Sequence, residues 1–263
     1  MLCSCIIPEI ELPKGVFRLM SQERLAQGLI SWIKDSVLAA GGKGVVFGMS
    51  GGVDSSMVAV LCRNAFPETS LGIIMPCHSD SMDEEHAELV ANKFNIPVKV
   101  VVLDKAFDSM IEVLSENNYD MSTRMLAENN IKPRLRMLTL YYFANRLNNL
   151  VVGSGNRCEL FVGYFTKYGD SGADMFPLAN LVKGQIRDLA IYLGLPREII
   201  NKPPSAGLWI GQTDEMEMGL TYEELDHYLL TGKAEEKIKE KIATMVKRSD
   251  HKRHLPLVPP LFS

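Results

Sequence analysis

Four short stretches are almost continuously apolar: VVFGM at 45–49, LGIIMP at 71–76, VKVVVL at 98–103 and LVVGSG at 150–155. A strand with one wet face alternates apolar and polar residues, whereas a parallel strand covered on both faces reads as an unbroken apolar run. The four runs therefore predict buried parallel strands. Helical patterns lie between them. Ser21 predicts an N-cap for a helix through about Ala39, with Leu25, Leu29, Trp32, Ile33 and Leu38 near one face and Gly41-Gly42 as its stop. Ser81-Met82-Asp83-Glu84 reads as a capping box opening a helix to about Phe94, and a longer helical stretch spans roughly 122–148. Strands alternating with helices imply right-handed crossovers, hence an α/β fold with a doubly wound, Rossmann-like parallel sheet flanked by helices. Beyond about 203 the chain is loop-rich. Two short helices follow, one opened by the capping box Thr221-Tyr222-Glu223-Glu224 and one over about 233–247, before the basic tail KRSDHKRHLP. No repeat, low-complexity segment or linker interrupts this order. The expectation is a single domain over 1–263, with an α/β core at about 20–202 and a C-terminal loop and helical extension at about 203–263.

Length and charge narrow the classes of function. The 263 residues are ample for a sizeable core, and the net charge of −4 gives no electrostatic reason to expect nucleic acid as a partner. No apolar run approaches membrane-spanning length, and MLCSCIIPEIELP lacks a basic leader, so neither a membrane nor a secretory route is expected. Five cysteines at irregular spacing (Cys3, Cys5, Cys62, Cys77, Cys158) read as free thiols in a reducing compartment, which points to the cytoplasm.

Ligands on open α/β sheets bind beyond the carboxyl ends of the strands, which directs attention to 48–56 and 153–159. Between an apolar run and an amphipathic one stands GMSGGVDSS, residues 48–56. Three readings fit it. Glycines, serine hydroxyls and the free amides of a following helix suit a phosphate cradle. Gly48-Met49-Ser50-Gly51-Gly52 also satisfies G-x-S-x-G, a nucleophile elbow, although the loop follows the first strand and no oxyanion stretch precedes it. A bare strand-to-helix turn is the third. The Walker lysine is absent and Asp54 stands beside the helix start instead. A carboxylate there would repel a polyphosphate unless a divalent cation lay between them, so Asp54 reads as a magnesium ligand, an N-cap or both.

S-G-G-x-D-S after the first strand is the loop of the ATP pyrophosphatases, the adenine nucleotide α-hydrolase-like group. Within it the chain resembles the ammonia-dependent NAD synthetases over nearly its whole length. The matching stretches are SGGVDSS (50–56), KPRLRM (132–137), FTKYGDSGADMFPLANLVKGQIRDLA (165–190), PPSAGLWIGQTDEMEMGLTYEELD (203–226) and DHKR (250–253). The resemblance implies a ligase that makes NAD from deamido-NAD, ammonia and ATP with magnesium, working as a cytoplasmic homodimer. By matching motif it assigns ATP to Gly48, Met49, Ser50, Gly51, Gly52, Val53, Asp54, Ser55, Ser154, Lys183 and Ser205. It assigns the metal to Asp54 and Glu159, and deamido-NAD to Arg134, Lys167, Asp174, His251 and Lys252. Gly207 and Ile210 stand where relatives often carry acidic residues. Only about forty residues precede the first strand, too few for a glutamine amidase domain, so free ammonia is the expected nitrogen source.

Converting a carboxylate to an amide needs a better leaving group than oxide. In the implied route the substrate carboxylate attacks the α-phosphorus of ATP, pyrophosphate leaves, and ammonia displaces AMP from the acyl-adenylate. Two anions meet in the first step, so charge must be neutralised by a cation on Asp54 and Glu159, by Lys183 and by the loop amides. No covalent enzyme nucleophile is required. Water must be kept out, and the glycine-rich 169–174 and the 203–212 segment are candidate covers. The alternatives are GMP synthetase or a tRNA-thiolating enzyme with the same loop, against which the lack of C-x-x-C pairs and of a basic stripe weighs, or a nucleotide-binding protein without turnover. Taken alone, Glu159 is an ordinary first-turn acid and Arg134, Lys167 and Lys183 are ordinary surface charges.

Overall fold

A computed structural model describes residues 21–114, 121–209 and 211–260. Helix α1 (Gln22–Ala39) leads into β1 (Val45–Gly48), α2 (Val53–Ala65), β2 (Ser70–Ile74), α3 (Ser81–Phe94) and β3 (Val98–Val100). Helices α4 (Asp104–Leu114), α5 (Met121–Asn129) and α6 (Ile131–Leu147) precede β4 (Leu150–Val152). All pairings are parallel, in the order β3-β2-β1-β4. The chain moves outward from β1 through β2 to β3, then crosses back to place β4 on the other side of β1. That reversal puts a crevice between the carboxyl ends of β1 and β4, the switch point at which such sheets take ligands. The doubly wound sheet expected from the sequence is present.

Two apolar layers cover the sheet. On one face Val45, Phe47 and Val152 pack with Met57 and Leu61 of α2, Ile33 and Val37 of α1 and Val90 of α3. Val46, Ile73 and Val151, pointing the other way, meet Ala144 of α6. Unbroken apolar runs in β1, β2 and β4 follow from this double cover. Strand β3 departs from the expectation: it is one edge of the sheet, ends at Val100 rather than 103, and all three of its residues are exposed.

Local chemistry explains several boundaries. Ser21 caps α1 as expected, its hydroxyl accepting from the Arg24 amide at 3.3 Å. The buried line of α1 is Ala26, Ile33 and Val37, while Trp32 and Leu38 of the expected face lie 45% and 56% exposed. Asp80, not Ser81, caps α3, accepting from the Met82 amide at 3.0 Å, so the capping box read at Ser81–Glu84 does not form. The long helix expected over 122–148 is two helices. Pro133 forbids continuity: its ring would clash with the carbonyl of Asn129 and it brings no N–H, so it is tolerated only in the first turn of α6. Gly51, at φ +71°, holds the loop after β1 against α3; a Cβ there would come within 2.4 Å of the Asp83 carbonyl oxygen.

The rest of the chain builds on β4. Helix α7 (Arg157–Val162) follows it, then α8 (Lys183–Tyr192) and α9 (Arg197–Asn201). Helices α10 (Asp214–Met218), α11 (Tyr222–Thr231) and α12 (Glu236–Ser249) form the extension. Thr221 closes the expected capping box on α11, whereas the last helix starts and ends a little later than its pattern suggested. Cys158 and Val162 of α7, with Val182, share one apolar cluster with Met218, Tyr222, Leu225, Leu229 and Ile242. The extension is thus packed on α7 and on the start of α8. No described helix is long and apolar enough to cross a membrane.

Candidate active site

The loop after β1 and the loop after β4 face each other across the switch point. Helix α2 begins at Val53 with Gly52 as its cap, and Gly52 brings no side chain to satisfy the first-turn amides. Ser50 and Ser55 brace the loop through a 2.9 Å contact between their hydroxyls, and Ser55 also donates to the Gly52 carbonyl at 3.1 Å. The hydroxyl of Ser50 therefore has a serine for its partner and not an imidazole, which removes the support for a nucleophile elbow.

Opposite, α7 is opened by Asn156. Its side chain accepts from the Glu159 amide at 3.0 Å, while the Glu159 carboxylate accepts from the Asn156 amide at 3.2 Å. This capping box points both side chains at the first loop. The Asn156 side-chain Nδ2 donates to Asp54 Oδ2 at 3.2 Å. From the third side comes Lys183, the first residue of α8, with its ammonium 2.5 Å from Asp54 Oδ2 and 3.8 Å from Glu159 Oε1. Its side chain is only 3% exposed, so the alternative of an ordinary surface charge does not hold for it. A fourth group arrives from the extension: the Tyr222 hydroxyl donates to Asp214 Oδ2 at 2.8 Å and lies 3.3 Å from Glu159 Oε1, and the Lys183 ammonium lies 4.7 Å from the Tyr222 ring centre.

Charge is out of balance here. Three carboxylates, Asp54, Glu159 and Asp214, surround one ammonium. Burial, then the neighbouring Asp54 charge, pushes the Glu159 carboxyl up to about 8. Burial likewise raises Asp214. Burial also pulls the Lys183 ammonium down, but Asp54 and Glu159 outweigh it and leave its pKa above the ordinary lysine value. Asp54 Oδ1 and Asp214 Oδ1 are buried without a hydrogen-bond partner. An unpartnered carboxylate oxygen beside a second carboxylate fits a divalent cation that takes one or two protein carboxylates and completes its shell with water and phosphate oxygens. Among the described residues no cluster of three or more metal-ligating side chains offers a full protein cage.

A cavity of about 740 Å³ opens from this point. Most of the residues expected in the site line it: Gly48, Met49, Ser50, Gly52, Val53, Asp54, Ser55, Ser154, Glu159, Lys183, Ser205, His251 and Lys252. Gly51 sits behind, against α3. Arg134, Lys167 and Asp174 lie outside the lining. Arg134 donates to the Lys167 carbonyl at 3.3 Å and Lys167 to the His251 carbonyl at 2.5 Å, so these two join the tail at the cavity margin. Asp174 stands apart, accepting from the Val151 amide at 2.7 Å and from the Tyr141 hydroxyl at 3.0 Å, contacts that tie its loop to β4 and α6.

The segment around 202–212, expected as a cover, lines the cavity and is tethered at several points. Lys202 pairs with Asp83 of α3 at 2.5 Å, Lys132 of α6 donates to the Leu208 carbonyl at 2.8 Å, and the Gln212 side chain accepts from the Leu208 amide at 2.8 Å. Gly207, at φ +62°, faces Asp83, where an acidic side chain would be repelled. Ile210, the other departure from the resemblance, lies outside the described residues. The tail is also fixed. Lys252 donates to the carbonyls of Gly163 and Phe165 at 2.9 and 2.8 Å, and Arg253 to those of Phe161 and Val246 at 3.2 and 2.6 Å.

Residues 25–256 match the NAD synthase family. The chain belongs to the NAD synthase family. The NH(3)-dependent NAD(+) synthetase of Carboxydothermus hydrogenoformans is 50% identical over 239 residues, covering 91% of this chain and 98% of that protein. Its counterpart in Syntrophomonas wolfei is 44% identical over 245 residues, covering 92% and 98%. Among solved structures, an NMN synthetase from Francisella tularensis superposes with a TM-score of 0.87 at 36% identity, covering 92% of this chain and all of that one. The NH3-dependent NAD synthetase of Campylobacter jejuni gives 0.75 at 28%, with the same coverage. Membership in this family makes the chain a ligase.

Sequence reading missed Asn156, Asp214 and Tyr222. Asn156 had a local signal, since Asn156-Arg157-Cys158-Glu159 is a capping-box pattern just after an apolar run. The other two reach the site only through the packing of the extension.

Proposed function

We infer that this chain is an ammonia-dependent NAD synthetase: it amidates the nicotinate carboxylate of deamido-NAD with ammonia and cleaves ATP to AMP and pyrophosphate. Family membership supports the reaction class. The observation that carries the site is the Asp54–Lys183–Glu159 group, set beside a glycine-rich helix start at the switch point. The loop amides and Lys183 neutralise the triphosphate while the substrate carboxylate attacks the α-phosphorus; ammonia then displaces AMP from the acyl-adenylate. Asp54 and Glu159 are the residues that would hold Mg2+, and bound there it would supply Lewis-acid stabilisation of the phosphate charge. Ser154 and Ser205 would contact ATP; Arg134, Lys167, Asp174, His251 and Lys252 would serve deamido-NAD.

Incubation with ATP, Mg2+, ammonium and deamido-NAD is expected to yield NAD, AMP and pyrophosphate in equal amounts. ADP in place of AMP would overturn the reading. A shorter substrate is the second reading, favoured by the superposition on an NMN synthetase. Offered nicotinic acid mononucleotide in competition, the enzyme is expected to prefer the dinucleotide by about tenfold or more in kcat/KM, about 1.4 kcal/mol of transition-state binding. The reverse preference would make the mononucleotide the substrate.

The working unit would be a cytoplasmic homodimer. Support comes from α6, where Leu138, Tyr142 and Leu147 are exposed while Leu135 is packed inward. Sedimentation is expected at twice the 29.3 kDa chain mass; a 29.3 kDa species at micromolar concentration would refute it.

A further inference from the structure

We propose that Asp226, a residue of α11 with no contact to the cavity, is a positioning residue for the site: it sets the start of α8, and with it Lys183, and ties α8 to the helix that carries Glu159. The inference rests on the reading above that Lys183 acts on ATP.

The first amides of a helix have no intrahelical acceptor, and the residue before the first turn commonly supplies one from its side chain. Helix α8 lacks that residue, because Val182 stands in the cap position. Gln185 reaches back to accept from the Val182 amide at 3.1 Å. The next two amides are served from another helix. Asp226 Oδ1 accepts from the Lys183 amide at 3.1 Å, and Oδ2 accepts from the Gly184 amide at 2.7 Å. A carboxylate is also the right charge for this end of a helix, more so because the first residue of α8 is itself a cation. Gly184 makes room for it: a Cβ there would lie 3.1 Å from Asp226 Oδ2.

The same carboxylate reaches the second active-site helix. The buried thiol of Cys158, the residue before Glu159, donates to Asp226 Oδ1 at 3.0 Å. One side chain thereby contacts the backbone of Lys183 and the neighbour of Glu159, two groups whose tips meet 3.8 Å apart. A lysine has four rotatable side-chain bonds and a large entropy to lose. Fixing its Cα adds to the burial and the Tyr222 ring contact that bring its ammonium back to one place on Asp54.

The test is a double-mutant cycle on kcat at saturating ATP, with the deamido-NAD assay and a thermal melt of each variant. Lys183→Met removes the ammonium at similar volume. Asp226→Asn keeps the shape but turns one acceptor into a donor facing an amide. It is expected to lower kcat about tenfold or more, since small misplacement of a charged group costs on that order. In the Lys183→Met background the same change is expected to cost less than about twofold, because the lysine it positions is gone. A drop below fivefold in the wild-type background, or an equal drop in both, overturns the proposal. Wild-type kcat in Lys183→Met removes the reading of the site and the proposal with it. A damaged Lys183→Met beside an unaffected Asp226→Asn removes the proposal alone. Should Asp226→Asn fail to fold, Gly184→Ala takes its place: alanine favours the helix yet crowds the carboxylate. At least a twofold loss of kcat with an undiminished melting temperature supports the proposal, and unchanged kcat overturns it.

Discussion

Asp54→Asn is expected to reduce NAD formation by about 100- to 1000-fold, the range seen when one preorganised electrostatic contact to a developing charge is removed. Asparagine fills the same space and can still accept from Lys183 or Asn156, so the loop keeps its shape. What is lost is the negative charge that is 2.5 Å from the ammonium, and the unpartnered oxygen offered to a cation. Stability should suffer less than the removal of a buried partner usually implies, which is about 3–5 kcal/mol. Glu159 is 3.8 Å from the same ammonium, and without the Asp54 charge beside it the Glu159 carboxyl ionises more readily and takes over the pairing. A loss of about 1–2 kcal/mol in urea unfolding is the expected result once that replacement is counted. Turnover within a factor of about ten of wild type would show that Asp54 neither holds a metal nor orders the lysine.

Glu159 is expected to make the unliganded enzyme weaker as pH rises, and its replacement should flatten the trend. The carboxyl is pushed from 4.5 to about 8 in the folded state, by burial first and the Asp54 charge second. A folded protein that holds a proton more tightly than its unfolded chain loses stability as pH climbs between the two values. The window is therefore about 4.5 to 8. Asp170, raised to about 6 by burial, and Asp214, also raised by burial, act in the same direction at the lower end. Lys183 does not oppose them there, because its raised value leaves it charged throughout the window. The melting temperature of the wild type without ligands is expected to fall by several degrees from pH 6 to pH 8.5, on the scale of about 2–4 °C per kcal/mol for a chain of this size. Glu159→Gln should flatten that slope while abolishing most turnover. Mg2+ with ATP should stabilise the wild type more at pH 8.5 than at pH 6, since cation and proton compete for one carboxylate. A melting temperature that does not depend on pH in this window, or a slope unaltered in Glu159→Gln, would refute the assignment.

Parts of this site were legible in the chain because their signals are local. Gly48–Ser56 announces a turn and a helix start within nine residues, and the apolar runs on either side of it needed no partner to be read. The alternation of runs and helical patterns gave the parallel sheet and, through the switch-point rule, the position of the crevice. What failed was local pattern set against tertiary facts. Val98 and Val100 are apolar yet exposed, on an edge strand whose residues no described helix covers. Trp32 and Leu38 sit on the exposed flank of α1, away from the side that packs on α2 and α8. Pro133 could have divided the long helical stretch from the sequence alone, because the clash it causes is with its own chain. The union of Asp54 with Glu159 and Lys183, across 105 and 129 positions, was visible only through resemblance to a family, as no periodicity spans such gaps. Asp214, Tyr222 and Asp226 fall in a stretch that matched the family, but no local pattern tied them to the site.

The clasp formed by Lys252 and Arg253 on the carbonyls of Phe161, Gly163 and Phe165 bears on how the enzyme comes into being. The glycine loop is complete after some sixty residues of synthesis, but the helix bearing Glu159 receives its last hydrogen bonds from Ser249 and Arg253, close to the end of the described chain. A nascent polypeptide stalled on the ribosome, or one cut short by a premature stop codon, would own the nucleotide cradle without its counterpart wall. Such fragments should be poor consumers of cellular ATP.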